Sequence, residues 1–99
     1  MSYYFIAQIE IKDPEVYQKY LDKAEEVFRK FKGKYLVVDD KPVILEGSWI
    51  YTRTVVIKFN NRKDFDVWYN SGEYQEILKF RLSASVCNTI LAKGLNDDD

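Results

Sequence analysis

A loop, an apolar strand and a broken helix follow one another in the second half of the chain, and that order constrains the fold more than any other feature. The loop carries Leu45-Glu46-Gly47-Ser48-Trp49. The segment Arg53 to Phe59 holds the continuous run Val55-Val56-Ile57, which suits a central strand buried on both faces. Asn61 can cap the helix that follows, with Asp64 well placed in its first turn. Asn70-Ser71-Gly72 interrupts that helix, and Ser71 can recap it for Glu73 to Arg81. Val86 to Lys93 reads as a last strand closed by Gly94.

The first half supplies the complement. Tyr3, Phe5, Ala7, Ile9 and Ile11 form one wholly apolar row of a strand, while Tyr4, Ile6, Gln8 and Glu10 form a mixed row. Asp13-Pro14 starts a helix, the aspartate as cap and the proline at a position where its missing N–H costs nothing. Val16, Tyr17, Tyr20, Leu21, Ala24, Val27, Phe28 and Phe31 recur at helical spacing, so the helix is expected to run to Gly33. Glu15/Lys19, Glu25/Arg29 and Glu26/Lys30 stand four apart on its other face. Lys34 to Val38 is a second strand, Asp39 to Pro42 a turn, and Val43 to Glu46 a short extended piece. The expected order is βαββαβ: an α+β fold with a four-stranded antiparallel sheet and both helices on one face. Tyr4, Ile6 and the doubly apolar third strand then call for burial of the open sheet face against a second copy.

With 99 residues, 46% of them hydrophobic, the chain supports one packed domain, taken as 1–95, followed by a disordered acidic tail over 96–99. Without Asp97, Asp98 and Asp99 the acidic count falls from 16 to 13, and against 15 basic residues the balance becomes +2. Neither sign dominates, and no basic cluster interleaved with aromatics is present, so no nucleic-acid or membrane partner is expected. The start Met1-Ser2-Tyr3-Tyr4-Phe5 lacks a basic n-region and a long apolar core, and Cys87 is the single cysteine; both suit the cytoplasm.

The absence of histidine removes the commonest general base, the Ser-His and Cys-His nucleophile pairs and the usual metal and haem ligand, so no cofactor or metal is expected. Cys87 has no CxxC partner and reads as a structural cysteine. Asp39-Asp40 lacks the spacing of a calcium loop, and the four glycines are too scattered for a phosphate loop.

Taken together, Asp13-Pro14 with Tyr17 and Tyr20, Gly33 with Tyr35-Leu36-Val37, Leu45-Glu46-Gly47 with Trp49, Arg53 with Val55-Val56-Ile57 and Phe59, Trp68-Tyr69 with Ser71, Glu73-Tyr74-Gln75, Arg81 and Gly94 resemble the family catalogued as domain of unknown function 1330. The resemblance spans Tyr4 to Gly94. It implies a ferredoxin-like protomer of the dimeric α+β barrel superfamily, in which two sheets pack face to face. The chain departs from the family pattern at Lys32-Gly33, where a glycine pair is usual, at Val38-Asp39-Asp40, where an arginine and two glycines often stand, and at Gly72, often a proline.

Two arginines and a set of aromatics remain as candidates for a ligand site. Arg53 precedes a buried strand and Arg81 ends a helix; each is either a structural ion pair, for instance with Glu46 or Glu73, or a planar fork for a carboxylate or enolate oxygen. Tyr20, Tyr35, Trp49, Tyr69 and Tyr74 are packing residues or a pocket wall. Gln8 and Asn88, amides read as lying on central strands, bond across a dimer or face a ligand. The expectation is a homodimer of uncharacterised biochemical role that binds a small carboxylated or aromatic molecule between sheet and helices. A cofactor-free oxygenase or isomerase, with Glu or Tyr as base, and a non-enzymatic dimerisation module are the alternatives.

Overall fold

The computed structural model describes residues 2–95. The acidic tail expected at 96–99 lies outside them. Strand β1 (Tyr3–Ile11) leads into helix α1 (Pro14–Phe28), strands β2 (Lys34–Asp39) and β3 (Arg53–Phe59), helices α2 (Arg62–Tyr69) and α3 (Gly72–Ala84), and strand β4 (Ser85–Lys93). The strands form one antiparallel sheet in the order β2-β3-β1-β4.

Local chemistry sets the boundaries. Asp13 accepts the Val16 amide at 3.2 Å, Asn61 the Asp64 amide at 2.8 Å and Ser71 the Tyr74 amide at 3.0 Å, so each helix starts on a side-chain cap. Ser71 also donates to the Trp68 carbonyl at 2.8 Å, which closes α2 and opens α3 with one hydroxyl. The interrupted helix of the sequence is thus two helices, three in all.

Helix α1 stops at Phe28, short of the expected Gly33. The Lys30 and Phe31 amides bond three residues back, to Val27 and Phe28, so the chain tightens into a turn that keeps Phe31 near the core without continuing the helix. Gly33 ends that turn against two rings: a Cβ there would sit 2.5 Å from the Phe28 ring and 2.8 Å from that of Phe59. Lys30 pairs with Glu73 on α3 instead of the expected Glu26, whereas Arg29 does meet Glu25 at 2.7 Å.

Phe5, Ala7 and Ile9 of β1 and Val55, Ile57 and Phe59 of β3 face the helices and are buried. Onto them pack Tyr17, Ala24, Val27 and Phe28 of α1, Phe65 and Trp68 of α2, and Tyr74, Ile77, Leu78 and Ala84 of α3. The Trp68 ring centre lies 5.5 Å from Phe5, 5.4 Å from Phe59 and 4.2 Å from Tyr74, making it the hub of this layer.

The other sheet face has no helix on it. Within one protomer Thr54, Val56 and Lys58, the outer row of β3, are half-buried. Ile90 of β4 is 59% exposed, and Val43 and Leu45 of the β2–β3 loop are 84% and 88% exposed. Residues 43–46 belong to that loop and join no strand.

Candidate functional site

Between sheet and helices a cavity of about 40 Å³ is lined by Phe5, Ala7, Ile9, Val55 and Ile57 of the sheet and by Tyr17, Tyr20, Leu21 and Ala24 of α1. Arg81 lines it too, from the last turn of α3. An open groove of about 700 Å³ adjoins it. The two share Leu21, Ala24, Tyr35 and Arg53, so these residues form the neck.

Arg81 is only 2% exposed. Among the described residues it has no carboxylate partner: its Nη1 donates to Cys87 Sγ at 3.1 Å, the guanidinium stands 5.8 Å from the centre of the Tyr20 ring, and Nε is buried without a hydrogen-bond acceptor. Neither Glu46 nor Glu73, the partners considered from sequence, fills that role. Burial pulls the guanidinium pKa down, but Tyr74, Tyr20 and Cys87 more than offset it and hold it above its usual value. The group stays cationic at any working pH. A buried cation surrounded by neutral groups is costly unless an anion joins it.

Tyr20 and Tyr74 share a hydrogen bond between their hydroxyls at 2.8 Å. Burial raises the pKa of Tyr20 well above the ordinary phenol value, with Tyr74 adding to it and Arg81 opposing. Burial likewise raises Tyr74 and Tyr17, and pushes Tyr35 up to about 12. At neutral pH the cluster therefore offers O–H and N–H donors and no phenolate.

Arg53, the first residue of β3, is largely covered by the neck. Its Nη1 reaches Asp40 Oδ1 at 2.9 Å, and its Nε is a second buried guanidinium N–H without an acceptor. Asp40 is the carboxylate that meets it, where Glu46 or Glu73 had been considered. The Tyr35 ring packs at a tilt against Phe28, ring centres 4.5 Å apart. A bulge in β2 between Tyr35 and Val37 puts Tyr35 opposite Ile57 and Val38 opposite Val55, both on the helix side, where they line the groove.

The structure thus brings five of the nine sequence candidates, Tyr20, Tyr35, Tyr74, Arg53 and Arg81, to one end of the sheet–helix layer. The other four lie elsewhere. Tyr69, the last residue of α2, stacks on Phe65 at 5.3 Å and packs against the core. Gln8 and Asn88 pair in register on the open sheet face, and Asn88 belongs to the edge strand β4, so only Gln8 is on a central strand. Asn88 donates to the Tyr51 hydroxyl there. Trp49 packs edge-on against Tyr51 at 5.7 Å and lines a separate hollow with Pro42 and Thr54. Sequence reasoning missed Tyr17 as a wall of the cavity and treated Cys87 as a plain core residue. Cys87 lies on the inward row of β4, opposite Ile9, six residues after Arg81, and that spacing was the available signal.

Among the described residues no group of three or more His, Cys, Asp or Glu side chains could hold a metal ion, and no helix is long and apolar enough to cross a membrane.

This architecture is the ferredoxin-like α+β fold, and solved structures share it. One is a protein of unknown function, RPA0582 from Rhodopseudomonas palustris, at a TM-score of 0.78 and 17% identity, covering 96% of this chain and 83% of that one. A dimeric ferredoxin-like protein of unknown function from Jannaschia sp. matches at 0.72 and 7% identity, over 95% and 100% of the two chains. SnoaB, a cofactor-independent oxygenase from Streptomyces nogalater, matches at 0.68 and 8% identity, over 96% and 94%. No curated protein sequence matches significantly. The chain belongs to the family described as Domain of unknown function (DUF1330), whose model matches residues 2–95.

Proposed function

We propose that this protein is a cytoplasmic homodimer that binds a small carboxylated molecule, aliphatic or aromatic, with its acid group in the sheet–helix cavity. Arg81 carries the reading: a guanidinium 2% exposed, without a carboxylate and with a free buried Nε, lines a cavity that opens to a groove. A ligand carboxylate supplies the missing charge and accepts from the fork, and the neutral Tyr20–Tyr74 pair adds a hydroxyl donor beside it. The open sheet face, on which Val86 and Ile90 are exposed, supports pairing with a second copy, and the Jannaschia relative is described as dimeric.

The oxygenase of the same fold favours an enzymatic version in which the donors stabilise an enolate. Proton abstraction by tyrosine is not available to it, because the phenols of the cluster are held protonated. A base would have to come from Glu25 at the groove or from the substrate. The dimerisation-module alternative is what remains if the cavity takes no ligand.

Benzoate, hexanoate and para-hydroxybenzoate titrated in a thermal-shift assay test the binding. At least one is expected to stabilise the wild type, with affinity falling about tenfold or more in Arg81→Lys, which keeps the charge and loses the planar fork. Stabilisation equal in both proteins would place the ligand elsewhere. Sedimentation at micromolar concentration tests the dimer, and a clean monomer would remove it.

A further inference from the structure

The cavity and the groove outside it differ in size and in chemistry. At about 40 Å³ the cavity has room for about three water-sized positions at roughly 10–15 Å³ each, enough for a carboxylate and little behind it. Arg53 lines it together with Arg81, and with Asp40 on Arg53 the two guanidinium groups keep one unmatched positive charge among the described residues, so a single carboxylate completes the site. Whatever else the ligand carries lies beyond the neck. The groove there holds about 700 Å³, within the roughly 300–1,000 Å³ usual for a small-molecule site. Leu21, Ala24, Phe28, Phe31, Tyr35 and Val38 line it, and its charged groups are already matched, Arg29 to Glu25 at 2.7 Å and Arg53 to Asp40 at 2.9 Å. Its apolar wall is not covered: Val38 is 49% exposed and Tyr35 38%.

From this contrast we infer that the ligand is a single-headed amphiphile, a monocarboxylic acid whose carboxylate fills the cavity and whose long apolar body lies in the groove between α1 and β2. The inference rests on the reading of Arg81 as an anion site and adds the number of charges, the size of the body and its course. Charge limits the ligand to one head, because no second unmatched cation faces the groove among the described residues. Volume sets the size of the body. A cavity of about 150 Å³ already admits benzene, so a six-carbon body leaves most of the groove open. The bulge in β2 fits the course, since it brings Val38, and not Val37, to the groove side of the strand, where a chain that covers it gains by removing apolar surface from water.

The test titrates hexanoate, octanoate and decanoate, with 1-octanol as the control that lacks the acid, by calorimetry below their micellar concentrations against the wild type, Val38→Asp, Val38→Leu and Arg81→Lys. Full burial of a methylene is worth about fourfold, and in a groove open on one side about twofold, so decanoate is expected to bind the wild type about tenfold or more tighter than hexanoate. Octanoate should bind about tenfold or more tighter than octanol, through the charge-assisted contact that the alcohol lacks. The decanoate-to-hexanoate ratio should collapse toward one in Val38→Asp, which sets a carboxylate in the path of the body, and persist in Val38→Leu. Arg81→Lys should weaken every acid about equally and leave that ratio unchanged. A ratio near one in the wild type overturns the amphiphile, while Arg81-dependent binding of hexanoate keeps the anion cavity. A ratio that survives Val38→Asp puts the body elsewhere and also overturns it. Octanol binding as tightly as octanoate, or failure of every acid to bind, removes both readings.

Discussion

Replacing Arg81 by methionine should leave stability within about 1 kcal/mol of the wild type while abolishing carboxylate uptake. The argument starts from desolvation: a guanidinium 2% exposed has lost its water, and an uncompensated buried charge costs several kcal/mol after relaxation. Three contacts offset this, the first a hydrogen bond from the guanidinium to the Tyr74 hydroxyl, worth about 1.5–3 kcal/mol. The bond to Cys87 Sγ falls at the low end of the roughly 1.5–3 kcal/mol range for charged hydrogen bonds, because a thiol is a weak acceptor. The Tyr20 ring at 5.8 Å is near the limit of useful cation–π attraction and adds about 0.5–1 kcal/mol. Methionine keeps most of the apolar stem and fills the space without the charge. The balance leaves the variant within about 1 kcal/mol of the wild type, and each kcal/mol is worth about 4–8 °C in a domain of this size. Urea denaturation and thermal melts at matched protein concentration measure it, since self-association shifts apparent stability. A variant destabilised by more than about 1 kcal/mol would refute the reasoning and make Arg81 a structural hub rather than a waiting anion receptor.

The phenol cluster predicts alkaline sensitivity. Tyr35, lifted from 10.0 to about 12, and Tyr20 and Tyr74, lifted in the same direction, bind more protons folded than unfolded between those values. Stability is therefore full below about pH 10 and falls as pH rises toward 12, and tyrosinate absorbance should appear together with loss of helix signal; tyrosines that ionise well before unfolding would contradict this. Gly33→Ala should cost about 1–3 kcal/mol by overpacking the Phe28 and Phe59 rings, and an unchanged denaturation midpoint would mean the turn yields freely. Gly47 has a positive φ of 77° with open space around it, so Gly47→Val should cost about 1–2 kcal/mol more than Ser48→Ala through backbone strain alone; equal midpoints would refute it. Ser71→Ala removes the shared cap of α2 and α3 and should cost about 1 kcal/mol in the same assay.

Strand and cap chemistry was legible because it is local. The alternation of β1 and the three side-chain caps follow from residues within a few positions of one another. The end of α1 was not, because a tight turn spaced at three residues keeps Phe31 in phase with the helix it has left. The site divided along the same line. Tyr20 and Tyr74 meet across 54 positions, and which face Gln8 and Asn88 share is read from strand register, but which face the helices cover is a tertiary fact. Helix or sheet periodicity likewise says that Arg53 and Arg81 are inward residues of their elements, and says nothing of whether a carboxylate waits for them. Asp40 does for one; among the described residues none does for the other.

Helix α3 ends at Ala84 and β4 begins at Ser85, with no residue between them. Arg81 and Cys87 therefore belong to a single rigid stretch, tied further by the Ser85 hydroxyl donating to the Arg81 carbonyl at 2.6 Å. Tyr35, Val38, Asp40 and Arg53, around the opening, come instead from β2, the loop after it and the start of β3. Arg81 at the depth of the cavity and the β2–β3 side of its opening are thus written in separate parts of the chain. Substitutions or insertions between Asp39 and Arg53, for instance trading Asp40 or lengthening the loop, would reshape that side of the opening while the Arg81–Cys87 contact keeps its geometry.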